Sequence, residues 1–465
     1  MADTAMPFTV PSETPATRTA PPPAASQLAA PAPGLTAPSL GALPPIPVSA
    51  TLAANETLAR KRRAGQPVLP LAFGEAGLPA HPLLRDALAA ASGGNAYGPV
   101  AGLPALREAA AGYWTRRGTP ASAASVVCGP GSKALLFGLL LAIGVDVAVP
   151  KPSWVSYAAQ ATMIGTQPHF VPAPPGEGGV CDAAGLARAV LAARQAGRRI
   201  GAVVLTLPDN PTGQLARPDS VRAVCQVARE HDLIIIADEI YRDLVHDPAA
   251  GFPSPVAYAP ERTVITTALS KGLALGGWRI GVARLPDGRT GRALRDRLLG
   301  VGSEIWSAPS LPIQQAAALA FSEPPELTER ISRSRSLHAA VAAAMADRFR
   351  AAGLQVPAPQ AAFYLYPDFA PWQAGLRAAY GISTGAELAG HLLHRYGMGM
   401  LPGSAFGEDD TVLRMRVATG LLYGETDQER EIALASGDPA GLPWIAAALD
   451  RAGDVLADLA PATAG

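Results

Sequence analysis

The sequence predicts an α/β protein with a mostly parallel central sheet in a large domain and a smaller α+β domain after it. Three observations carry this. Short, nearly continuous apolar runs of strand length recur at residues 126–128, 145–149, 202–206, 233–237, 264–267 and 281–284. Helical stretches lie between several of them, residues 218–230 being the clearest, with apolar positions at helical spacing. Strands that are apolar on both faces belong in a parallel sheet covered by helices on either side. Beyond Leu311 the pattern changes to a long Ala- and Arg-rich helical region, a strand at 361–366, more helix, and a final strand around 413–418. No internal repeat is visible.

Taken in order, residues 1–48 are dominated by Ala, Pro, Thr and Ser, with Asp3, Glu13 and Arg18 as the only charges. Such a stretch buries too little apolar surface to offset its ordering entropy and reads as a flexible tail. It lacks the charged start and apolar block of a secretory signal. Residues 49–91 read as an N-terminal segment joining the small domain, 92–325 as the large domain, and 326–465 as the small one. The most apolar stretch, 134–149, is interrupted by Gly138, Gly144 and Asp146. It is too short and broken to span a bilayer and reads as a buried helix followed by a strand.

Composition narrows the function. Hydrophobic residues make up 49% and charged residues 16% of the 465 positions, enough apolar content for a large core. Lys plus Arg and Asp plus Glu both number 38, so the net charge is zero and there is no basic footprint for nucleic acid or a membrane surface. The three cysteines, Cys128, Cys181 and Cys225, are odd in number and far apart, which fits a reducing cytoplasm rather than a disulfide framework. Lysine occurs only at Lys61, Lys133, Lys151 and Lys271, so lysine-dependent chemistry has four candidates.

Four polar features stand at predicted strand ends, where ligands gather in parallel sheets. The turn Gly129-Pro130-Gly131-Ser132-Lys133 opens a helix after the first strand. Pro208-Asp209-Asn210-Pro211-Thr212-Gly213 follows 202–206 and presents the Asn210 amide. Asp238-Glu239-Ile240-Tyr241 follows 233–237. Ser270-Lys271, with Gly276-Gly277-Trp278-Arg279 behind it, follows 264–267. Each alone is an ordinary turn or cap, and a Gly-rich turn alone is a weak phosphate signal. Together, in this order, they supply what pyridoxal 5'-phosphate requires: a lysine for its aldehyde, a carboxylate for its pyridine nitrogen and a phosphate cup. Lys61 lies in a basic run, Lys151 in a loop and Lys133 in the glycine turn, which leaves Lys271 for the Schiff base. Asp238 would keep the pyridine nitrogen protonated, while alternation turns Glu239 the other way. Asn210 and Tyr241 would hydrogen-bond the phenolic oxygen. The amides of Gly131, Ser132 and Lys133 at a helix N-terminus, with Ser270 and Arg279, would hold the phosphate.

These residues resemble the class I/II aminotransferases, which belong to the fold-type I pyridoxal phosphate enzymes, over residues 69–419. The matching segments include Leu71-Ala72-Phe73-Gly74-Glu75, Tyr97-Gly98-Pro99, Pro152-Ser153-Trp154-Val155-Ser156-Tyr157, the four turns above, Ala362-Phe363-Tyr364, residues 401–407 and Leu413-Arg414-Met415-Arg416. The resemblance implies a seven-stranded central sheet and a homodimer in which Tyr97 reaches the cofactor phosphate of the neighbouring subunit. It also implies Trp154 stacked on the pyridine ring, Gly74 beside the substrate and Arg414 as the arginine for the substrate carboxylate. The implied reaction moves an amino group between an L-amino acid and a 2-oxo acid. Two departures stand out. Ala268 replaces a small hydroxyl or glycine three residues before the lysine, which puts one phosphate donor in question. Arg416 replaces a small residue, and in a strand it shares a face with Arg414. It is therefore a candidate for a second anionic group, the alternative being a surface or structural role. Lys133 is another candidate for a distal carboxylate, beside its place in the phosphate turn.

Two other readings compete. Lyase, oxidase or synthase chemistry on the same fold would use the same cofactor residues. A transcription regulator with an aminotransferase-like sensor would need a basic helix-turn-helix ahead of the domain, and residues 1–48 do not supply one. His391 and His394, three apart on a predicted helix, have no third ligand near them in sequence.

Overall fold

The computed structural model describes residues 49–461; the predicted tail at 1–48 lies outside the described residues, as do 462–465. The chain opens with α1 (Ala50–Arg63), β1 (Leu69–Pro70) and α2 (Pro82–Ala91). The central part follows as α3 (Pro104–Arg116), β2 (Val126–Gly129), α4 (Ser132–Ile143), β3 (Asp146–Lys151), α5 (Ser156–Met163) and β4 (Pro168–Pro172). It continues through α6 (Ala183–Gln195), β5 (Ile200–Thr206), α7 (Pro218–Glu230), β6 (Ile234–Asp238), β7 (Thr263–Ala268), the single turn α8 (Leu269–Gly272), β8 (Gly281–Arg284), α9 (Gly288–Ile305) and α10 (Leu311–Ser322). The C-terminal part comprises α11 (Pro325–Ala351), β9 (Tyr364–Leu365), α12 (Gln373–Tyr380), α13 (Gly385–Tyr396), β10 (Met398–Gly399), β11 (Leu401–Pro402), β12 (Met415–Ala418), α14 (Asp427–Ala435) and α15 (Pro443–Leu459).

Seven strands form the central sheet in the order β2-β8-β7-β6-β5-β3-β4. β8 runs antiparallel to both of its neighbours and every other pairing is parallel. Burial explains why these strands read as unbroken apolar runs: all seven residues of β5 are buried. Alternate side chains feed opposite faces, as a period of two requires. Val203 and Leu205 pack with α6 and α7 residues such as Leu186 and Val221. Ala202 and Val204 pack with Leu135, Leu139 and Leu298 from α4 and α9.

The C-terminal part has its own antiparallel sheet, β11-β12-β9, and a separate parallel pair, β1 with β10. Leu69 and Leu71 thereby share one core with Val341, Met345 and Phe349 of α11 and with Leu449 and Leu456 of α15. Among the described residues no helix is long and apolar enough to cross a membrane, and no group of three metal-ligating side chains occurs.

Two elements differ from expectation. β4 carries prolines at both ends and is half exposed, so it lacks the apolar run that marks the inner strands; it is an edge, where proline is tolerated. The strand expected over 361–366 contracts to Tyr364–Leu365. Ala361 and Ala362 instead donate to the carbonyls of Gly213 and Leu244, and Ala362 has φ +54°. Gly213 is the pivot of this contact: at φ +69° its amide donates to the Asp209 carbonyl, and an added Cβ would strike the Tyr364 carbonyl oxygen. Gly213→Ala is expected to lower unfolding stability by about 2 kcal/mol or more, read as a reduced urea midpoint.

Candidate active site

A cavity of about 630 Å³ opens at the carboxyl ends of β5, β6 and β7. Its walls also take in the N-terminus of α4, the start of α1 (Thr51, Leu52), the segment Phe73–Glu75, Tyr364 and Arg416.

β6 delivers Asp238 as its last residue, and register does the rest. Thr206 of β5 and Thr266 of β7 lie directly opposite Asp238 on either side. Thr266 Oγ1 donates to Asp238 Oδ1 at 3.2 Å. The Tyr157 hydroxyl donates to Oδ2 at 2.9 Å and stands 2.9 Å from Thr206 Oγ1. Burial pushes the Asp238 carboxyl up to about 6 against the pull of these donors, which leaves a carboxylate in need of a cation. Glu239 points the other way, as alternation requires, to Ser254 and to Arg242 at 2.8 Å.

The single turn of α8 after β7 carries Ser270 and Lys271 into the cavity. Lys271 Nζ donates to the Gly74 carbonyl and lies 6.0 Å from the centre of the Tyr241 ring. Burial brings its ammonium down to about 8, opposed by Glu75, so a large share of the amine is neutral in mildly alkaline solution. The Tyr241 hydroxyl meets that of Tyr364 at 2.8 Å.

The opposite end of the cavity is cationic. Gly131, at φ +86°, precedes the first turn of α4, and the Arg279 guanidinium lies where a Cβ at Gly131 would sit. Ser132, Ser270 and Arg279 line this end. Lys133 Nζ lies 5.1 Å from the Trp154 ring centre, its pKa lowered by burial and by Arg279. Trp154 stands edge-on to Tyr157, centroids 5.2 Å apart, and walls one side.

The two arginines near the C-terminus part company. Arg416 is buried in the cavity wall. Its Nη1 donates to Asn210 Oδ1 at 3.3 Å, Nη2 donates to the Ala72 carbonyl, and the Tyr364 and Phe406 rings each lie 5.3 Å away. Nε has no partner, and no carboxylate among the described residues pairs with the guanidinium. Arg414, by contrast, lies outside the cavity with its side chain 43% exposed. It is clamped by Glu408 at 2.6 Å and Asp368 at 3.1 Å. Arg414, expected to take the substrate carboxylate, thus has two acidic partners outside the cavity, and Arg416 is the arginine that faces the cavity.

Of the other expected residues, Ser132, Lys133, Trp154, Asn210, Asp238, Tyr241, Ser270, Lys271, Arg279 and Gly74 meet around the cavity. Gly131 stands just behind the wall. Tyr97 contributes nothing to it and is 94% exposed. Tyr157 and Tyr364 were missed as site residues. Both lie inside the motifs quoted above, Tyr157 three positions after Trp154 on the first turn of α5, but nothing in the sequence says which hydroxyl each would meet.

A family model described as aminotransferase class I and II matches residues 68–424. The chain belongs to this family. A probable aspartate/prephenate aminotransferase of Thermus aquaticus is 32% identical over 367 residues, covering 76% of this chain and 92% of that protein. An aspartate aminotransferase of Geobacillus stearothermophilus is 31% identical over 392 residues, covering 82% and 95%. The solved structure of the Thermus thermophilus aspartate aminotransferase with maleate superposes with a TM-score of 0.74 at 27% identity, covering 88% of this chain and 97% of that one. This aminotransferase thus has the fold-type I architecture, uses pyridoxal 5'-phosphate and moves an amino group between an amino acid and a 2-oxo acid.

The raised Asp238 carboxyl has a consequence for the cofactor-free chain. The native state holds this proton more tightly than the unfolded state does, so stability falls as pH rises from about 4 to about 6. Asp238→Asn is expected to remove that share of the slope, on the order of 2–3 kcal/mol across the window, in urea midpoints measured on cofactor-free protein between pH 4 and pH 7.

Proposed function

We propose that this aminotransferase seats its cofactor with Lys271 as the attachment point, Asp238 at the ring nitrogen, and Asn210 with Tyr241 at the phenolic oxygen. Gly131, Ser132, Lys133, Ser270 and Arg279 take the phosphate, and Trp154 lies against the ring. The donor set fits: a buried carboxylate without a cation stands at one end, a helix N-terminus with a guanidinium at the other, and a lysine of lowered pKa lies between them. When bound, the cofactor supplies an aldehyde to receive the amino group and a protonated ring that withdraws electrons from the substrate's Cα.

The observation that carries the substrate reading is Arg416, a buried cation with an unpartnered Nε on the cavity wall. A guanidinium desolvated in this way favours a carboxylate that completes its hydrogen bonds. Arg416 therefore orients the amino acid by its α-carboxylate, with Asn210 fixing the plane of the guanidinium. Lys271 Nζ, once free, takes the Cα proton and returns it on the far side of the transfer, a task suited to an amine with a pKa of about 8. The Trp154 and Tyr364 rings keep water from the reacting carbon.

The Lys133 backbone amide serves the phosphate, which leaves its ammonium on the cavity wall to favour an acidic side chain on the donor. The names of the relatives and the maleate in the Thermus thermophilus structure support the same substrate class. Residues 92–325 serve as the cofactor domain, with 49–91 and the C-terminal part, from 326 onward, as the smaller one. The exposed Tyr97 serves a second copy in a homodimer, and the enzyme works in the cytoplasm.

Lys271→Ala is expected to purify without a visible, borohydride-reducible absorption band; a reducible band in that variant would transfer the attachment to another amine. Arg416→Ala is expected to lower kcat/KM for amino donors by about a hundredfold or more. Arg414→Ala should leave it within a few-fold. Steady-state kinetics with aspartate and glutamate separate the two arginines.

A further inference from the structure

The hydroxyls of Tyr241 and Tyr364 face each other at 2.8 Å with their rings nearly perpendicular, at 84°. Both residues are buried, and neither hydroxyl has another hydrogen-bond partner among the described residues. Two hydroxyls carry two protons and share one hydrogen bond, so one proton must point elsewhere. The surroundings decide which. The Tyr364 oxygen abuts Gly74, where an added Cβ would overlap it, and the Gly74 carbonyl already accepts from Lys271. The Arg416 guanidinium stands over the Tyr364 ring at 5.3 Å and offers donors only. Both tyrosines border the cavity, but Tyr364 is fully buried, whereas Tyr241 keeps a small exposed area and lies beside Lys271. If Tyr241 donated to Tyr364, the Tyr364 proton would be left buried and unsatisfied, a costly arrangement. If Tyr364 donates to Tyr241, both protons are used once an acceptor oxygen enters the cavity.

We propose that Tyr364 is a positioning residue: its hydroxyl donates to Tyr241 and so aims the Tyr241 proton at the cofactor's phenolic oxygen. The inference rests on the cofactor placement proposed above and goes beyond it, because it assigns to a residue of the C-terminal sheet the tuning of a group held by the central sheet. Tyr364 is fixed for this task by β9, whose Tyr364 pairs with Ala418 of β12, and by the Gly213 turn against its carbonyl. The charged groups around the pair are Arg416 from β12, Lys271 from α8, Asp238 from β6 and Asp209 from the turn after β5. None of them supplies an alternative hydrogen bond to either hydroxyl.

The sign of the effect follows. A hydroxyl that itself accepts a hydrogen bond is a stronger donor, and a strong donor to the phenolic oxygen stabilises its negative charge. Without Tyr364 the oxygen becomes more basic and keeps the proton it shares with the lysine nitrogen to higher pH. The test is a pH titration of the visible band of the pyridoxal phosphate-loaded enzyme in the wild type, Tyr364→Phe, Tyr241→Phe and the double variant. Tyr364→Phe is expected to raise the midpoint by about half a pH unit. It should add nothing in the Tyr241→Phe background, because its effect passes through the Tyr241 hydroxyl. An unmoved midpoint in Tyr364→Phe, or an equal shift in both backgrounds, overturns the proposal. Gly74→Ala, which displaces the hydroxyl without removing it, should shift the midpoint in the same direction and serves if Tyr364→Phe fails to fold. A wild-type chain with no reducible visible band would overturn the Lys271 assignment and this inference with it. A normally titrating wild type with an unmoved Tyr364→Phe overturns this inference alone.

Discussion

Three charges held out of water around one cavity, none paired with another, are the constraint on which this molecule turns. Asp238, Lys271 and Arg416 are each desolvated, and each is displaced by burial toward its neutral form. Isolated buried charges are costly, and the fold tolerates them only because it surrounds them with partial partners. Asp238 receives two hydroxyls, Lys271 a backbone carbonyl, and Arg416 an amide oxygen and a carbonyl. Each partner is polar and uncharged, so each charge keeps most of its demand for a counter-ion. A cofactor and an amino acid between them carry the opposite charges at matching ends, so binding relieves a cost that folding has already incurred.

The central sheet makes this arrangement reproducible. Asp238 is flanked by Thr206 and Thr266 because three parallel strands end in register. A slip of one residue would turn the carboxylate to the other face, where Glu239 now meets Arg242 and Ser254. Two adjacent acids thus acquire different duties from strand parity alone, one facing a ligand and the other anchoring a loop.

Legibility in the sequence followed the same physics. The inner strands and α7 could be read because burial on both faces, or on one stripe, leaves a compositional trace. The edge strand β4 is half exposed and left none. The site residues at strand ends could be read because a parallel sheet gathers its ligands there, and the glycines and prolines around them mark the turns. The resemblance named Arg414 for the substrate carboxylate, while alternation put Arg416 on the same face and could not say which of the two would enter the cavity. What separates them is Asp368, 46 positions away in sequence, together with Glu408, and both acids reach Arg414 only through the folded backbone. Tyr157 and Tyr364 were visible as aromatic residues within known segments, but a hydroxyl's partner is a property of three-dimensional neighbours, and pattern alone does not encode it.

The walls of the cavity are drawn from points scattered along most of the described chain, from Ser49 at the start of α1 to Arg416 in β12. No contiguous fragment can assemble them. Colour developed on adding vitamin B6 aldehyde is accordingly a census of the whole polypeptide, since it reports that the first helix, the middle sheet and the last strand have all arrived at one place.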